Sequence, residues 1–106
     1  MDFAIRIINL RRFLQDAKEF DLSSQVARSG TAIGALVREA EYAESRADFV
    51  HKMKIALKEA NETSYWLELL YRTDILVDSL YNSLKADNEE LKRILVCIIN
   101  TSNKTK

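Results

Sequence analysis

Few side chains in this sequence have the spacing of a catalytic or metal-binding site. The pair that most resembles one is Asp48 and His51. In a helix, residues three positions apart lie on one face, as in the Glu-x-x-His elements of di-iron bundles. Such a site needs two of these elements and two further carboxylates, whereas the chain has one histidine. An intrachain di-metal site in its usual form is therefore excluded, and we interpret His51 as a surface histidine near the start of a helix.

Three glutamates are the other candidates for chemistry. Glu39, Glu59 and Glu62 would lie near Arg28 and Arg38 if neighbouring helices are antiparallel. This arrangement predicts ion pairs within or between subunits, and a carboxylate site is the alternative. Because the sequence contains no nucleophile–base pair and no cofactor-binding loop, we predict no enzymatic activity, no cofactor and no metal.

The two glycines of the chain, Gly30 and Gly34, lie one helical turn apart. A glycine inside a helix lowers helix stability by about 1 kcal/mol relative to alanine, so the presence of both glycines in one helix needs an explanation. A phosphate-binding loop would need the pattern G-x-x-x-x-G-K-[ST], but the glycines here are too close and Ala35 stands where lysine is required. We instead predict a close helix–helix contact, with Ala56 and Ala60 of the third helix as the partners.

Composition indicates a helical protein without a general affinity for nucleic acid. The 106 residues include two glycines and no proline, so the residues that form most turns and long loops are missing. Sixteen Lys and Arg residues balance 16 Asp and Glu residues, and phosphate binding normally needs a basic excess. The single cysteine fits a reducing compartment. No apolar stretch reaches the roughly 18 residues of a membrane span, and we expect a cytoplasmic protein.

Apolar residues recur every three or four positions in four segments of the chain. This spacing predicts helices over about 3–19, 24–44, 46–73 and 77–101. Ser45, followed three residues later by Asp48, has the pattern of a capping box. The predicted core stripe of the fourth helix is Leu80, Leu84, Leu91, Ile94 and Ile98. Because amphipathic helices with short connections pack best as an antiparallel up-down bundle, we predict one all-α four-helix bundle domain over residues 1–106.

More residues are apolar than the core of one bundle can use. Three apolar residues of the third helix lie opposite or beside its core stripe, and the run "ILVCII" at 94–99 is apolar on every side. A helix that is hydrophobic all round must be buried all round, and an exposed apolar patch usually marks a protein interface. We therefore predict a homo-oligomer, and we expect Cys97 to be a buried, inert thiol. The predicted interface residues are Ile55, Trp66, Leu69, Val96 and Ile99.

The segment between residues 28 and 70 carries a specific pattern. Its elements are "RSGT-IGA" at 28–35, "EA--A" at 39–43 and "DF--K---AL-EA-E--YWL-LL" at 48–70. Together they resemble the signature of the 23S rRNA intervening-sequence protein family, also called the bacterial four-helix bundle family. The resemblance implies an up-down bundle assembled as a ring-shaped homopentamer, with no established enzymatic activity. Members of the family are typically encoded within extra segments of bacterial large-subunit rRNA genes.

These observations favour one function and leave an alternative. The leading hypothesis is a non-enzymatic, homo-oligomeric assembly module whose other partners the sequence does not name. The alternative is an RNA-binding protein acting on ribosomal RNA or its intervening segment. This alternative rests on the similarity to a related branch, the accessory variability determinants of diversity-generating retroelements. Their pentameric barrel binds reverse transcriptase and RNA. Those relatives are basic, whereas this chain has no net charge.

Charge placement distinguishes the two hypotheses. RNA binding would gain support if the basic residues, including the Lys104 and Lys106 tail, gathered on one face, and it would lose support if neighbouring acids neutralised them. The candidate RNA contacts are Arg6, Arg11, Arg12, Lys92 and Arg93.

Overall fold

The computed structural model describes residues 1–104, with side chains through Asn103. In this range the chain forms four helices and no strand. They are α1 (Asp2–Asp16), α2 (Phe20–Ala40), α3 (Arg46–Arg72) and α4 (Asp78–Lys104). Each helix packs against the next one along the chain, and the short connections make consecutive helices antiparallel. The prediction of an all-α four-helix bundle is confirmed, and its principal extents are 48 × 21 × 19 Å.

The first turn of the bundle comes earlier than the sequence predicted. The segment "EFDLSS" at 19–24, which we expected to separate two helices, contains the first turn of α2. The chain instead reverses at Lys18, whose φ of 64° lies in the left-handed region. Ser23 is buried inside this helix, and its hydroxyl donates to the Phe20 carbonyl at 2.8 Å. Helix α2 also ends earlier than predicted, at Ala40.

Both ends of α3 agree with the prediction. The Ser45 side chain accepts a hydrogen bond from the Asp48 backbone N–H at 3.0 Å, and the Asp48 carboxylate accepts one from the Glu44 N–H at 3.3 Å. The Ser45 cap satisfies one backbone donor that the first turn of a helix leaves free. The Asp48 carboxylate binds the N–H of the residue before the N-cap, where a capping box would bind the N-cap N–H. At the other end, α3 stops at Arg72, and Asp74 turns the chain with a φ of 63°.

The core lies along the inner stripes of all four helices. On α1 and α3 these stripes match the predicted periodicity. The buried residues of α1 are Phe3, Ile7, Leu10 and Leu14. Those of α3 include Met53, Ala56, Ala60, Thr63, Leu67 and Leu70.

The face of α4 that enters the core is rotated relative to the prediction. Its buried residues are Tyr81, Leu84, Asn88, Leu95 and Ile99. Ile94, predicted to be core, is 47% exposed. The prediction considered aliphatic residues only. Two core positions of α4 are instead occupied by Tyr81 and Asn88, whose side chains carry polar groups and contact α3. Tyr81 stacks on Tyr71 with ring centroids 4.1 Å apart, and the Asn88 amide donates to the Ala60 carbonyl at 3.0 Å.

A layer of polar side chains crosses the middle of the bundle. The Thr63 hydroxyl of α3 lies 3.0 Å from the Ser29 hydroxyl of α2, and both residues are fully buried. Next to Thr63, the Ser64 hydroxyl accepts a hydrogen bond from the Asn88 amide at 2.8 Å. The Oδ1 atom of Asn88 is buried without a hydrogen-bond partner in the described part of the chain. This layer joins α2, α3 and α4 but does not include α1.

Helix α1 is much shorter than the helix beside it. Its 15 residues span about 22 Å, whereas the 27 residues of α4 span about 40 Å. Arg6 of α1 pairs with Asp87 of α4, but otherwise α1 packs on α2 and barely meets α4. The bundle is therefore open between α1 and α4, and the C-terminal part of α4 extends past the start of α1.

Candidate assembly surface

The two glycines have different surroundings in the structure. A Cβ atom added at Gly30 would lie 2.9 Å from two side-chain carbons of Ile7, so Gly30 lets α1 approach α2 closely. The predicted close contact therefore exists at Gly30, but its partner is Ile7 on α1, not Ala56 or Ala60. At Gly34, a Cβ atom would meet nothing within 4 Å. Within one subunit the predicted contact at Gly34 is thus absent.

The predicted interface residues fall into three groups by burial. Ile55, Trp66 and Leu69 on α3 are half-buried. Val96 on α4 is 43% exposed, and Ile99 is only 7% exposed. Ile99 therefore belongs to the core of the bundle itself, and its assignment to a surface is wrong. The reason is the rotation of α4, which turns Ile99 inward and Ile94 outward.

The aromatic pair on α3 shapes part of this surface. The Tyr65 ring, which is exposed, meets the Trp66 ring edge-on with centroids 5.0 Å apart. The Trp66 indole N–H also donates to the Glu62 carboxylate at 3.4 Å. The polar atom of the indole is thereby satisfied, and its apolar ring is left partly accessible to another molecule.

Sequence reasoning missed several exposed apolar residues outside α3. Ile5 and Phe13 on α1 are both about half exposed, and Phe20, Tyr42 and Val77 are more exposed. Ile5 lies two positions from Phe3 and from Ile7 of the α1 core stripe. The periodicity of α1 could therefore have indicated that Ile5 is exposed. The exposure of Phe13 and Phe20 depended on where the first turn forms, and the sequence placed that turn too late.

Ion pairs connect α2 to α3, as the antiparallel arrangement predicted. The Arg28 guanidinium lies 3.2 Å from the Glu59 carboxylate and also pairs with Glu62. Farther along, the Lys52 ammonium lies 3.9 Å from the Glu39 carboxylate. The prediction of ion pairs is confirmed for all three glutamates. Arg38, the other predicted partner, makes none of these pairs.

Asp48 and His51 do not form a joint site. The Asp48 carboxylate caps the start of α3 and lies 3.7 Å from the Lys52 ammonium, while His51 is exposed. Within the part of the chain that the structure describes, no group of three or more His, Cys, Asp or Glu side chains is placed to hold a metal ion. Over the same residues, no helix is both long and apolar enough to cross a membrane.

The five candidate RNA contacts do not form one cluster. The Arg6 guanidinium pairs with Asp87 and donates to the Ser83 hydroxyl at 3.0 Å. Lys92 pairs with Glu89 at 3.1 Å. Arg11, Arg12 and Arg93 are exposed and lack an ion pair among residues 1–103. Because α1 and α4 are antiparallel, Arg12 and Arg93 lie on opposite sides of the Arg6–Asp87 pair, roughly 18 Å apart along the bundle. The side chain of Lys104 and the whole of Lys106 lie outside the described residues.

Two further features concern single reactive groups. Cys97 is exposed, so the expectation of a buried thiol is wrong, again because of the rotation of α4. At the other end of the bundle, a hydrogen bond to the Asp78 carboxylate, together with its negative charge, raises the pKa of the Tyr71 hydroxyl above its ordinary value. The described contacts place no base or nucleophile beside Cys97, and Asp78 is the only carboxylate they place in a hydrogen bond with Tyr71.

A concavity follows the exposed face of α2. It is an open groove of about 920 Å³, and it runs past Gly34, Ala35 and Tyr42 toward the start of α3. Its charged residues have both signs, with Arg38 and Lys52 facing Glu44 and Asp48. The groove is shallow because its side chains are small. Among the residues that line it, no set of polar groups converges on one point as in a small-molecule site.

Comparisons with known proteins agree with this architecture. The family model described as 23S rRNA-intervening sequence protein matches residues 1–97. A crystal structure from Bacteroides thetaiotaomicron, described as a protein with unknown function from the S23 ribosomal protein family, is 56% identical in sequence. The match covers 92% of each chain with a TM-score of 0.91. No match was found among curated proteins.

Proposed function

The chain belongs to the 23S rRNA-intervening sequence protein family, and from this premise we propose that it is a non-enzymatic module that assembles with copies of itself. The observation that carries the proposal is apolar surface outside a complete core. The buried stripes of all four helices already fill the interior of the bundle, yet apolar side chains remain on the outer faces of α1, α3 and α4. Such surface on a small domain favours self-association, and most soluble oligomers are closed homo-oligomers.

The outer face of α3 is the best-supported part of the interface. Trp66 and Leu69 lie one turn apart on this face, Ile55 lies about three turns before Trp66, and each of the three is half-buried. A partly accessible tryptophan with its N–H already bonded is typical of interface residues that contribute most of the binding energy. Val96 adds exposed apolar area on α4. The number of subunits, five, is proposed from the family resemblance alone, because helical periodicity does not count the members of a ring.

Light scattering with size separation tests the proposal directly. The wild-type protein should have a mass near five times the 12.2 kDa chain. Trp66→Lys should lower that mass while helicity is retained, because an unpaired charge buried at an apolar contact is costly. Asn82→Lys, which adds the same charge at an exposed polar position of α4, is the control and should keep the wild-type mass. A wild-type monomer at micromolar concentration would contradict the proposal, and a dimer or tetramer would contradict only the number five.

RNA binding remains the second candidate because the family is named for ribosomal RNA sequences and because Arg11 and Arg12 form an exposed basic pair. Zero net charge and the distance between the basic residues weigh against it. A titration with ribosomal RNA at two salt concentrations tests it. Binding that weakens steeply with salt and is lost in Arg11→Ala/Arg12→Ala would support this function, and absence of binding at low salt would exclude it.

A further inference from the structure

The opening between α1 and α4 forms a groove with an apolar floor. It has a volume of about 750 Å³ and lies at the N-terminal end of α1, between α2 and α4. The floor is formed by Phe3 of α1, Val37 of α2, and Leu91 and Ile94 of α4. The groove exists because α1 is short and packs on α2 instead of filling the space beside α4. It therefore offers apolar surface that the subunit cannot cover itself.

The rim of this groove is acidic. Asp2, Glu41 and Glu90 line it, and none of the three forms an ion pair within the part of the chain that the structure describes. Asp87 also lines the groove, but Arg6 neutralises it. Arg38 and the N-terminal amine of Met1 are the positive groups among the described residues of the lining, and the three unpaired carboxylates outnumber them. A ligand that fits this groove would thus have an apolar surface with positive charges on either side of it.

The outer face of α3 carries the complementary charge. His51, Lys54 and Lys58 are spaced three and four positions apart, so they form one exposed ridge. None of them has an ion pair among residues 1–103, because the nearby acids on the same helix are already engaged. Asp48 pairs with Lys52, and Glu59 and Glu62 pair with Arg28. Ile55, half-buried, lies beside this ridge.

We propose that the acidic groove of one copy receives the basic α3 ridge of the next copy. This inference rests on the proposed self-assembly and specifies its two contact surfaces. Lys54 and Lys58 would face the acidic side chains of the groove, and Ile55 would contact the apolar floor. The ridge and the groove lie on different sides of one subunit, because α3 packs on α2 and α4 and makes no contact with α1. Each copy can therefore present its ridge to one neighbour and its groove to another. Such a heterologous contact generates a ring when the rotation between copies closes.

Charge reversal on each surface tests the pairing. Lys54→Glu/Lys58→Glu reverses the ridge, and Glu41→Lys/Glu90→Lys reverses the groove. Each variant alone brings like charges together, so at low ionic strength its mass should fall toward the 12.2 kDa of one chain. A chain that carries all four substitutions has an acidic ridge and a basic groove, so every contact of a ring of any size is complementary again and the mass should rise. Arg11→Glu/Arg12→Glu, a double reversal outside both surfaces, should keep the wild-type mass, and circular dichroism checks that all variants remain helical.

The outcomes distinguish this inference from the proposal on which it rests. A wild-type monomer would overturn both. A wild-type oligomer whose mass is unchanged in both reversals would leave self-assembly intact and overturn the groove–ridge pairing, leaving the groove to a different partner. Loss of mass in each double variant without recovery in the chain that carries all four substitutions would also overturn the pairing, because it would show that the two surfaces act separately.

Discussion

Gly30 of α2 lies directly against Ile7 of α1, with no room between them for even a methyl group. A Cβ atom at residue 30 would come within 2.9 Å of both Cγ atoms of Ile7, and Ile7 itself is fully buried. The branched carbons of isoleucine are attached to a stiff side chain, so they cannot move aside cheaply. This contact sets the distance between α1 and α2 and so contributes to the opening on the α4 side of α1.

The first prediction compares the two glycines as a matched pair. Gly30→Ala should lower the free energy of unfolding by about 1 kcal/mol, because overpacking by typically 1–3 kcal/mol outweighs the gain of about 1 kcal/mol in helix propensity. Gly34→Ala has the same propensity gain and no neighbour in the subunit, so it should not destabilise the helix. Urea unfolding followed by circular dichroism measures both. Equal effects of the two substitutions would contradict the role assigned to Ile7.

The second prediction concerns Gly34 in the assembled protein. Since a side chain at this position meets nothing in its own subunit, Gly34→Leu should leave helicity unchanged. If another copy packs closely on this face of α2, as the small residues Thr31, half-buried, and Ala35, exposed, favour, the leucine should lower the oligomer mass by overpacking the contact. Light scattering and circular dichroism on the same sample give both values. Wild-type mass in this variant would remove the exposed face of α2 from the interface.

The third prediction follows from the buried amide of Asn88. Its Oδ1 atom has no partner, and an unsatisfied buried acceptor costs about 1–3 kcal/mol. Asn88→Leu removes that atom but also the two hydrogen bonds that the amide donates to Ala60 and Ser64. Gain and loss are of similar size, so stability should change by no more than about 1 kcal/mol. Asn88→Ala, which leaves a cavity, is the comparison and should be destabilising. A large loss of stability in the leucine variant would indicate that the amide is fully bonded, for example through a buried water molecule.

The fourth prediction is a titration of Tyr71. The Asp78 carboxylate raises the pKa of the Tyr71 hydroxyl, so the hydroxyl should ionise at a higher pH in the folded protein than in the unfolded chain. Its contribution to stability is therefore present below the ordinary tyrosine pKa and is lost as the pH rises through the folded value. Asp78→Asn should move the pKa back down. NMR resolves Tyr71 from the other tyrosines, with exposed Tyr42 as the internal reference, and an unchanged Tyr71 titration in the variant would contradict the assignment.

Local features of the fold were readable from the sequence because they depend on residues close together in the chain. The cap at Ser45 needed only Asp48 three positions later, and the stripes of α1 and α3 needed only regular spacing of apolar residues. The ion pairs of Arg28 also followed, since antiparallel neighbours joined by a short turn have little freedom of register. The first turn was misplaced because Lys18, which adopts the left-handed conformation, carries no glycine or proline signal.

The sequence by itself determined that the chain is helical, that it forms a four-helix bundle and that it has more apolar residues than one core can bury. Only the tertiary structure decided which of those residues remain outside. Ile99 faces inward and Ile94 outward because Tyr81 and Asn88 contact α3. A helix that is apolar on every side has no intrinsic inward face, so its orientation is set by packing against its neighbours. Likewise, both glycines looked equivalent in sequence, yet only Gly30 faces another helix, because the position of α1 is set by packing across the bundle and not by the periodicity of α2.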